Sequence, residues 1–502
     1  MKRIISLLLA IIVLMGTAVI ADDKITVIIN GCTLESDTSP VIVEGRTLLP
    51  VRAICEAVGA NVSFDNETRT VTAKGYDYTL VLKIGDNSIK LYMGSDDFSE
   101  SQCDVPPMII DGRTFLPLRA LCEALDFKVS WDEKTKTVTA EQAVFPEKNE
   151  DGGVKLDRSL VKIHGRFYSD DGKIVSSQPA SGIELRFKGT KLSLSLKADK
   201  DAYVHIFTDE KEELFLNYED DNRTFLPAGE NRITLCENLD NGIHTVKILK
   251  ANEGAYNKIT WNAAYTDGEI LAPVIAKTKK IQFVGDSITC AASSLNFPEN
   301  ANGSANGIKY EDSLHSYACY VGRAFDADVE LFAKSGLSMY NCMGEEPPKY
   351  EKTDPFAGIG ETWNHENFEP DLIVQFNWIN EYVGKVQRDG IKPEIIKDVY
   401  VEMIKMFRRD HPNAKLMMVS RSDQTEFIKI LNSAIEKYGK DNDTSWIGIL
   451  TYDKSVLVNP GHPHPEGQAN IAKAFIPQIE KFMGWTAEKL PFTFCVDRVE
   501  LR

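Results

Sequence analysis

Ser287 occupies a position where a nucleophile is expected in an open α/β sheet. The stretch Ile281–Val284 is largely apolar and predicts a buried strand, and Gly285-Asp286 predicts the turn that ends it. Open α/β sheets place their reactive groups just beyond the carboxyl ends of strands, which is where Ser287 lies. Because Gly-Asp-Ser also occurs in ordinary turns, this stretch alone does not establish an active site.

A histidine near the end of the chain is a candidate base for Ser287. His462 lies in a Pro/Gly-rich stretch, 459–467, that leads into a predicted helix at 468–482. A lone histidine in such a loop is most often a solvated residue. Here Ser287 follows the first predicted strand of the region and His462 follows the last, as a Ser–His pair on a doubly wound sheet requires. Such a pair activates the serine for nucleophilic attack.

From residue 281 onward, predicted strands alternate with predicted helices. Apolar side chains recur every four residues over 394–409 and again over 424–438, which predicts two amphipathic helices. Alternation of this kind predicts a parallel sheet covered by helices on both faces. The predicted strands are 281–284, 328–333, 371–376, 415–419 and 446–452.

The region before this sheet has the pattern of an all-β domain. Ile183, Leu185 and Phe187 alternate with polar neighbours, and Gly and Asn/Asp turns separate several such stretches. We predict a β-sandwich over 158–272, followed by an α/β domain over 273–486. A polar, Gly-rich segment at 146–157 is a predicted linker, and 487–502 contains a predicted terminal strand.

The N-terminal part of the chain contains an internal repeat. Residues 40–73 and 107–140 align without gaps at an offset of 67, and 20 of the 34 aligned positions are identical. Each copy predicts a strand, a glycine turn, a short helix and a hairpin, so 22–145 is a predicted α+β region. The helices are expected at 51–58 and 118–125.

The ends and the charge of the chain bear on its compartment and its partners. Lys2 and Arg3 precede an apolar run that ends in small residues, which predicts a signal peptide at 1–21 and a secreted protein. The formal net charge of −17 argues against nucleic acid or an anionic membrane as a partner of the mature chain. It suits a neutral polymer such as a polysaccharide.

Four stretches resemble the conserved blocks of the SGNH (GDSL-like) hydrolases. Gly285-Asp286-Ser287-Ile288-Thr289 resembles block one, and Lys334-Ser335-Gly336 resembles block two. The third and last blocks are similar to 370–381 and 462–467. This resemblance implies a three-layer α/β hydrolase with Ser287 as nucleophile and His462 as base. It also implies an oxyanion hole built from Ser287, Gly336 and Asn380, with Asn377 as the alternative if the register differs.

The sandwich narrows the resemblance, and the repeats carry a second one. The stretches 163–166, 242–247 and 266–271 are similar to carbohydrate esterase family 2, which joins a jelly-roll sandwich to an SGNH domain and removes acetyl groups from polysaccharides such as xylan or mannan. Residues 24–141 resemble the copper amine oxidase-like N-terminal (stalk) domain. Copper binding is not expected, because divalent copper favours imidazole ligands and the first histidine is His164.

Two positions depart from the hydrolase pattern. Trp378 stands where block three usually has glycine, and either stacks on a sugar ring or packs in the core. Asn459 replaces the Asp that usually precedes the catalytic histidine, so the imidazole is expected to be oriented by a main-chain carbonyl or by Asn459 itself. The resemblance implies no metal and no cofactor.

Three functions stay open at this point. The first is a secreted carbohydrate esterase that deacetylates a xylan- or mannan-like polysaccharide. The second is an SGNH esterase that acts on a bacterial wall or capsule polymer, with the repeats as a spacer or as a module that attaches to the cell surface. The third is a non-catalytic carbohydrate-binding protein on a degenerated esterase scaffold, which Trp378 and Asn459 favour.

Overall fold

The computed structural model describes residues 25–488, except 37, 44, 76–77, 94–96, 210–221, 296–306, 343–348, 355–358 and 458–461. The predicted signal peptide and the predicted terminal strand at 491–501 therefore lie outside the described residues. The chain divides into two compact units. One comprises Met1–Ile54, Ser63–Ala73 and Tyr78–Gln142, and the other comprises Cys55–Val62, Lys74–Asp77 and Ala143–Arg502.

The two sequence repeats pair with each other through equivalent strands. Arg46–Pro50 and Arg113–Pro117 are antiparallel, and Leu49 lies opposite Leu116, its counterpart in the repeat. Each strand runs directly into a short helix, Val51–Ala57 or Leu118–Ala124. In sheet order the strands of the repeats are Phe127–Asp132, Thr137–Gln142, Thr26–Ile29 and Cys32–Thr33; Met108–Ile110, Arg113–Pro117, Arg46–Pro50 and Val41–Val43; and Asn61–Asp65, Thr70–Lys74, Thr79–Lys83, Ser88–Tyr92 and Phe98–Gln102.

Two antiparallel sheets over 154–271 enclose one apolar core. Leu185 of one sheet and Leu194 of the other are fully buried in that core, as the alternating pattern requires. One sheet contains Phe167–Asp170, Lys173–Ser176, Ile259–Thr266, Leu192–Ala198 and Gly229–Cys236, with Val154–Lys155 beside Ile259–Thr266. The other contains Val161–His164, Gly182–Gly189, Gly242–Lys250, Ala202–Thr208 and Thr224–Leu226, with Glu269–Leu271 beside Gly182–Gly189.

The segment 146–157 differs at its end from the predicted linker. Val154–Lys155 forms a short strand that pairs with Ala264 and Ala263, and Val154 and Leu156 are buried in the sandwich core. Two buried apolar side chains hold this part of the segment on the sandwich, because leaving them in water would cost about 1.5–3 kcal/mol each.

The predicted parallel sheet is confirmed, and all five of its strands are parallel. In sheet order they are Ala327–Ala333, Lys279–Gly285, Leu372–Phe376, Lys415–Arg421 and Ile447–Tyr452. Lys279–Gly285, the first of them along the chain, lies inside the sheet and is called the central strand below. The chain therefore reverses its direction of travel across the sheet between the central strand and Leu372–Phe376, and ligands of open α/β sheets bind at such a reversal.

Helices pack in two groups that fit this reversal. Tyr317–Ala324 contacts Pro465–Met483, whereas Pro393–Asp410 contacts Thr425–Tyr438. Right-handed crossovers on the two sides of the reversal place these pairs on opposite faces of the sheet. Shorter elements are the helix Met339–Cys342, the π-helix Ile379–Arg388, the hairpin Lys352–Asp354 with Ile359–Thr362, and the 3-10 turns Ile308–Tyr310, Ser313–His315, His365–Asn367 and Lys454–Val456. No helix in the described part of the chain is long and apolar enough to cross a membrane.

Candidate active site

Ser287 lies on a tight turn at the carboxyl end of the central strand. Gly285 ends the strand, and a Cβ atom there would stand 1.9 Å from Oγ1 of Thr289, so only glycine fits. The Asp286 carboxylate accepts the Ile288 N–H at 3.0 Å, and the Asp286 carbonyl accepts the Cys290 N–H at 3.0 Å. These bonds hold the turn, while the Ser287 side chain is half-buried at its start.

His462 and Ser287 are brought together as the sequence predicts. The Nε2 atom of His462 lies 2.8 Å from Oγ of Ser287, within hydrogen-bond reach of a base and its nucleophile. Asn459 lies outside the described residues, so its predicted relation to the imidazole stays a prediction.

Gln468 ties the histidine segment to the nucleophile turn, and sequence reasoning missed it. It lies in the first turns of the helix Pro465–Met483 and is fully buried. Its amide nitrogen donates to the carbonyl of Ile288 at 2.9 Å, and its oxygen accepts the N–H of Tyr317 at 3.0 Å. A glutamine on the buried face of an otherwise apolar helix was the available signal.

The glycine of block two lies on the neighbouring strand end. The N–H of Leu337 donates to the carbonyl of Lys334 at 3.0 Å and closes a turn in which Gly336 has a φ of +78°, a conformation that favours glycine. Gly336 is exposed. Among the described residues, neither its N–H nor that of Ser287 has a protein acceptor. Two such donors are what an oxyanion hole requires.

Of the two asparagines considered for the oxyanion hole, Asn380 is the better placed. Asn380 is half-buried and its Nδ2 donates to Asp286 at 2.9 Å and to the carbonyl of Leu337 at 3.1 Å. Asn377 is fully buried, and its Nδ2 donates to the same carbonyl at 3.0 Å. Both amides therefore hold the block-two turn in this structure, and Asn380 must redirect one N–H to bind an oxyanion.

Two buried carboxyl groups lie beside this cluster. Burial raises the pKa of Asp286 to about 7, although the N–H of Ile288 and the Asn380 amide oppose the rise. Burial likewise raises the pKa of Glu381 to about 7, against a hydrogen bond from the N–H of Tyr340. The environment around the Ser–His pair therefore disfavours negative charge on these side chains near neutral pH.

Trp378 differs from the predicted substrate-binding role. Its ring is 2% exposed, its Nε1 donates to the hydroxyl of Tyr452 at 3.1 Å, and the guanidinium of Arg421 lies 5.1 Å from the ring centroid. An indole enclosed in this way has no open face for a sugar ring, so the structure supports the packing role that the sequence also allowed.

Cys290, near the nucleophile, also packs rather than reacts. It is fully buried, and desolvation raises the pKa of its thiol well above the usual value, which disfavours the reactive thiolate. Within the described residues, no three His, Cys, Asp or Glu side chains are grouped closely enough to hold a metal ion.

Comparisons with known proteins match two regions of the chain. Residues 28–139 and 97–204 match the model of the copper amine oxidase N-terminal domain. Residues 163–274 match the carbohydrate esterase 2 N-terminal model. The second copper amine oxidase match overlaps the esterase match over 163–204, within the two antiparallel sheets.

Three relatives extend the match into the α/β region. Acetylxylan esterase / glucomannan deacetylase of Cellvibrio japonicus is 20% identical over 345 residues, which is 65% of this chain and 89% of that protein. Cellulase/esterase CelE of Acetivibrio thermocellus is 24% identical over 271 residues, covering 52% of this chain but only 31% of CelE. A family two carbohydrate esterase from Clostridium thermocellum, solved with cellohexaose, has a TM-score of 0.55 at 20% identity and covers 65% of this chain and 99% of that chain.

The comparisons confirm the predicted resemblance to carbohydrate esterase family 2, preceded by a copper amine oxidase-like N-terminal region. They also confirm the predicted enzyme class, a carboxylic-ester hydrolase of the SGNH type.

Proposed function

We propose that this ester hydrolase is a secreted carbohydrate esterase that removes O-acetyl groups from a xylan- or mannan-like polysaccharide. The observation that carries the proposal is the 2.8 Å approach of His462 Nε2 to Ser287 Oγ at the reversal point of the parallel sheet. The acetylxylan esterase / glucomannan deacetylase among the relatives supports the choice of substrate.

In the first step Ser287 becomes acetylated. Nε2 of His462 takes the hydroxyl proton while Oγ attacks the acetyl carbonyl carbon, and a tetrahedral oxyanion forms. The N–H groups of Ser287 and Gly336 bind this oxyanion, and the Asn380 amide turns to join them. One such donor is worth roughly 2.7–4 kcal/mol of barrier. The sugar oxygen then leaves with the proton that His462 holds.

In the second step water releases the acetyl group. His462 takes a proton from water as the water oxygen attacks the acyl carbon, and the same N–H groups bind the second oxyanion. The bond to Oγ breaks, Ser287 recovers its proton from His462, and acetate leaves. These steps invoke no cofactor.

Charge and the N-terminal region bear on the setting of the reaction. A net charge of −17 makes anionic polymers poor partners and leaves neutral polysaccharides as the better substrates. We propose export through the predicted signal peptide, with the repeats at 22–145 as a spacer or as a module that attaches to a surface polymer.

Acetate release from defined polymers tests this function. The purified chain is incubated with acetylated xylan, acetylated glucomannan and O-acetylated peptidoglycan, and acetate is measured over time. We expect release from the first two substrates. Ser287→Ala should abolish release without altering the melting temperature, because a half-buried hydroxyl at a turn contributes little packing.

Ser420→Ala is a matched control for the nucleophile variant. Ser420 is a buried serine near the end of the strand Lys415–Arg421 in the same sheet, and its hydroxyl bonds only weakly to the adjacent Arg421 carbonyl, at 3.2 Å. It should keep wild-type turnover. Release from peptidoglycan alone would redirect the proposal to a wall polymer. Binding of a polysaccharide without any acetate release would favour the non-catalytic reading.

A further inference from the structure

The turn that carries Gly336 is held by a carboxylate from the sandwich region. Oε2 of Glu253 accepts the N–H of Ser335 at 2.6 Å, one residue before the glycine. Glu253 follows the strand Gly242–Lys250 and is 2% exposed. A charge-assisted bond of this length, shielded from water, is a strong restraint on a turn.

The loop that carries Glu253 is itself fixed from inside. The fully buried ammonium of Lys250 donates to the carbonyls of Asn252 and Asn257 at 2.6 and 2.9 Å and to Oδ1 of Asn257 at 2.7 Å. Burial lowers the pKa of Lys250 to about 7. The N–H of Glu253 donates to the carboxyl group of the buried Glu311. These bonds leave the Glu253 loop little freedom to move.

Glu253 also contacts the turn that carries the nucleophile. The Cys290 thiol donates to the same Oε2 atom, with a sulfur–oxygen distance of 3.7 Å. The N–H of Cys290 bonds to Asp286, beside Ser287. One carboxylate oxygen therefore links the two turns that present the Ser287 and Gly336 N–H groups.

The opposite side of the block-two turn is restrained as well. The carbonyl of Leu337 accepts both Asn377 and Asn380, and the N–H of Lys334 bonds to the carbonyl of Gly285 at 3.3 Å. Glu253 supplies the restraint on the remaining side.

We propose that Glu253 is a positioning residue for the oxyanion hole, supplied by the sandwich to the hydrolase. It acts through the Ser335 N–H and sets the direction of the Gly336 N–H. This inference rests on the proposed esterase function and deepens it, because it gives the sandwich a part in transition-state stabilisation.

Shortening the Glu253 side chain tests the proposal in the full-length chain. Glu253→Asp keeps the charge but withdraws the carboxylate from Ser335, and should lower kcat on 4-nitrophenyl acetate about tenfold or more, with KM within about twofold. The inhibition constant of methylboronic acid, which forms a tetrahedral adduct on the nucleophile, should rise by the same factor as kcat/KM falls. Glu253→Gln keeps an acceptor oxygen and should stay within about threefold of wild type.

Glu184→Asp is the matched control. Glu184 is another buried carboxylate of the sandwich, paired with His164 at 2.8 Å and without a contact to either turn, so its variant should keep wild-type kinetics. Wild-type kcat in Glu253→Asp, a change in KM alone, or an equal loss in Glu253→Gln would overturn the inference.

Hydrogen exchange keeps the proposal testable if Glu253→Asp does not fold. In the wild-type chain, the amide of Ser335 should exchange slowly although its turn is exposed at Gly336, and fast exchange would contradict the assigned bond. An inactive wild-type chain would overturn the proposed function, and the exchange measurement would still decide whether Glu253 holds Ser335.

Discussion

Asn380 has two tasks that compete for the same amide. In this structure its Nδ2 is engaged by Asp286 and by the Leu337 carbonyl, whereas the proposed mechanism needs one N–H at the oxyanion. We expect Asn380→Ala to lower kcat on a soluble acetyl ester by roughly 10²–10³, with little change in KM, as for a donor used in the transition state. Steady-state kinetics measure this directly. A rise in KM at constant kcat would make Asn380 a substrate-binding residue instead.

Asn459 raises the question of how the imidazole of His462 is oriented. In a serine triad, an amide in place of the carboxylate costs about 10⁴ in kcat. We predict that a main-chain carbonyl accepts the Nδ1–H of His462, so Asn459→Ala should cost less than about tenfold in kcat/KM, or roughly 1.4 kcal/mol.

Asn459→Asp separates an oriented dyad from a decayed triad. If the side chain is not aimed at the ring, the aspartate variant should have kcat/KM close to that of wild type. A gain of about a hundredfold or more would show that the natural chain has lost a carboxylate, and would favour the non-catalytic reading.

At the scale of elements, the π-helix Ile379–Arg388 brings a buried carboxyl group to the site. Glu381 is fully buried, one oxygen accepts the N–H of Tyr340, and the other, Oε2, has no partner among the described residues. π-helices are often found at functional sites. Here the wide turn places Asn380 and Glu381 next to each other behind the Ser287 cluster, with only Asn380 partly open to solvent.

The raised pKa of Glu381 predicts a pH-dependent contribution to stability. The unfolded carboxyl group ionises near pH 4.3, whereas the folded one keeps its proton to about pH 7. The folded state binds more protons in this window, so the free energy of unfolding falls as the pH rises through it. Glu381→Gln should remove this loss, and its melting temperature relative to wild type should be higher at pH 8 than at pH 4.

Thermal melts at several pH values check this prediction. Glu402→Gln is a suitable control, because Glu402 is exposed on the helix Pro393–Asp410 and pairs with Lys405. Its melting temperature should differ from wild type by a nearly constant amount over the same range. A constant difference for Glu381→Gln as well would show that the buried group is ionised in the folded protein at all these pH values.

At the scale of the whole molecule, each residue placed in the candidate site comes from beyond residue 250. The repeats have their own paired strands, joined through Leu49 and Leu116. Deletion of 22–141 should therefore leave kcat/KM on a small soluble acetyl ester within about twofold of the full chain. A large loss would show that the repeats contribute to the active site. A copper titration of the full chain should give no tight stoichiometric site.

Local patterns in the sequence were sufficient for the elements and for the reacting pair. The five parallel strands were predicted from apolar runs, and their observed bounds differ by a few residues, because strand ends depend on neighbours as well as on composition. Ser287 and His462 could be paired from sequence because each belongs to a motif at a strand end, and parallel strands bring their carboxyl ends to one edge.

What only the tertiary structure decided are contacts between distant segments. Glu253 and Ser335 are 82 positions apart, and no periodicity relates a loop after one sheet to a turn after another. The choice between sugar stacking and packing for Trp378 likewise depended on Tyr452 and Arg421, which close over its ring. A sequence specifies the face on which a side chain lies through local geometry, but its partner across an interface is set by how whole sheets and helices pack.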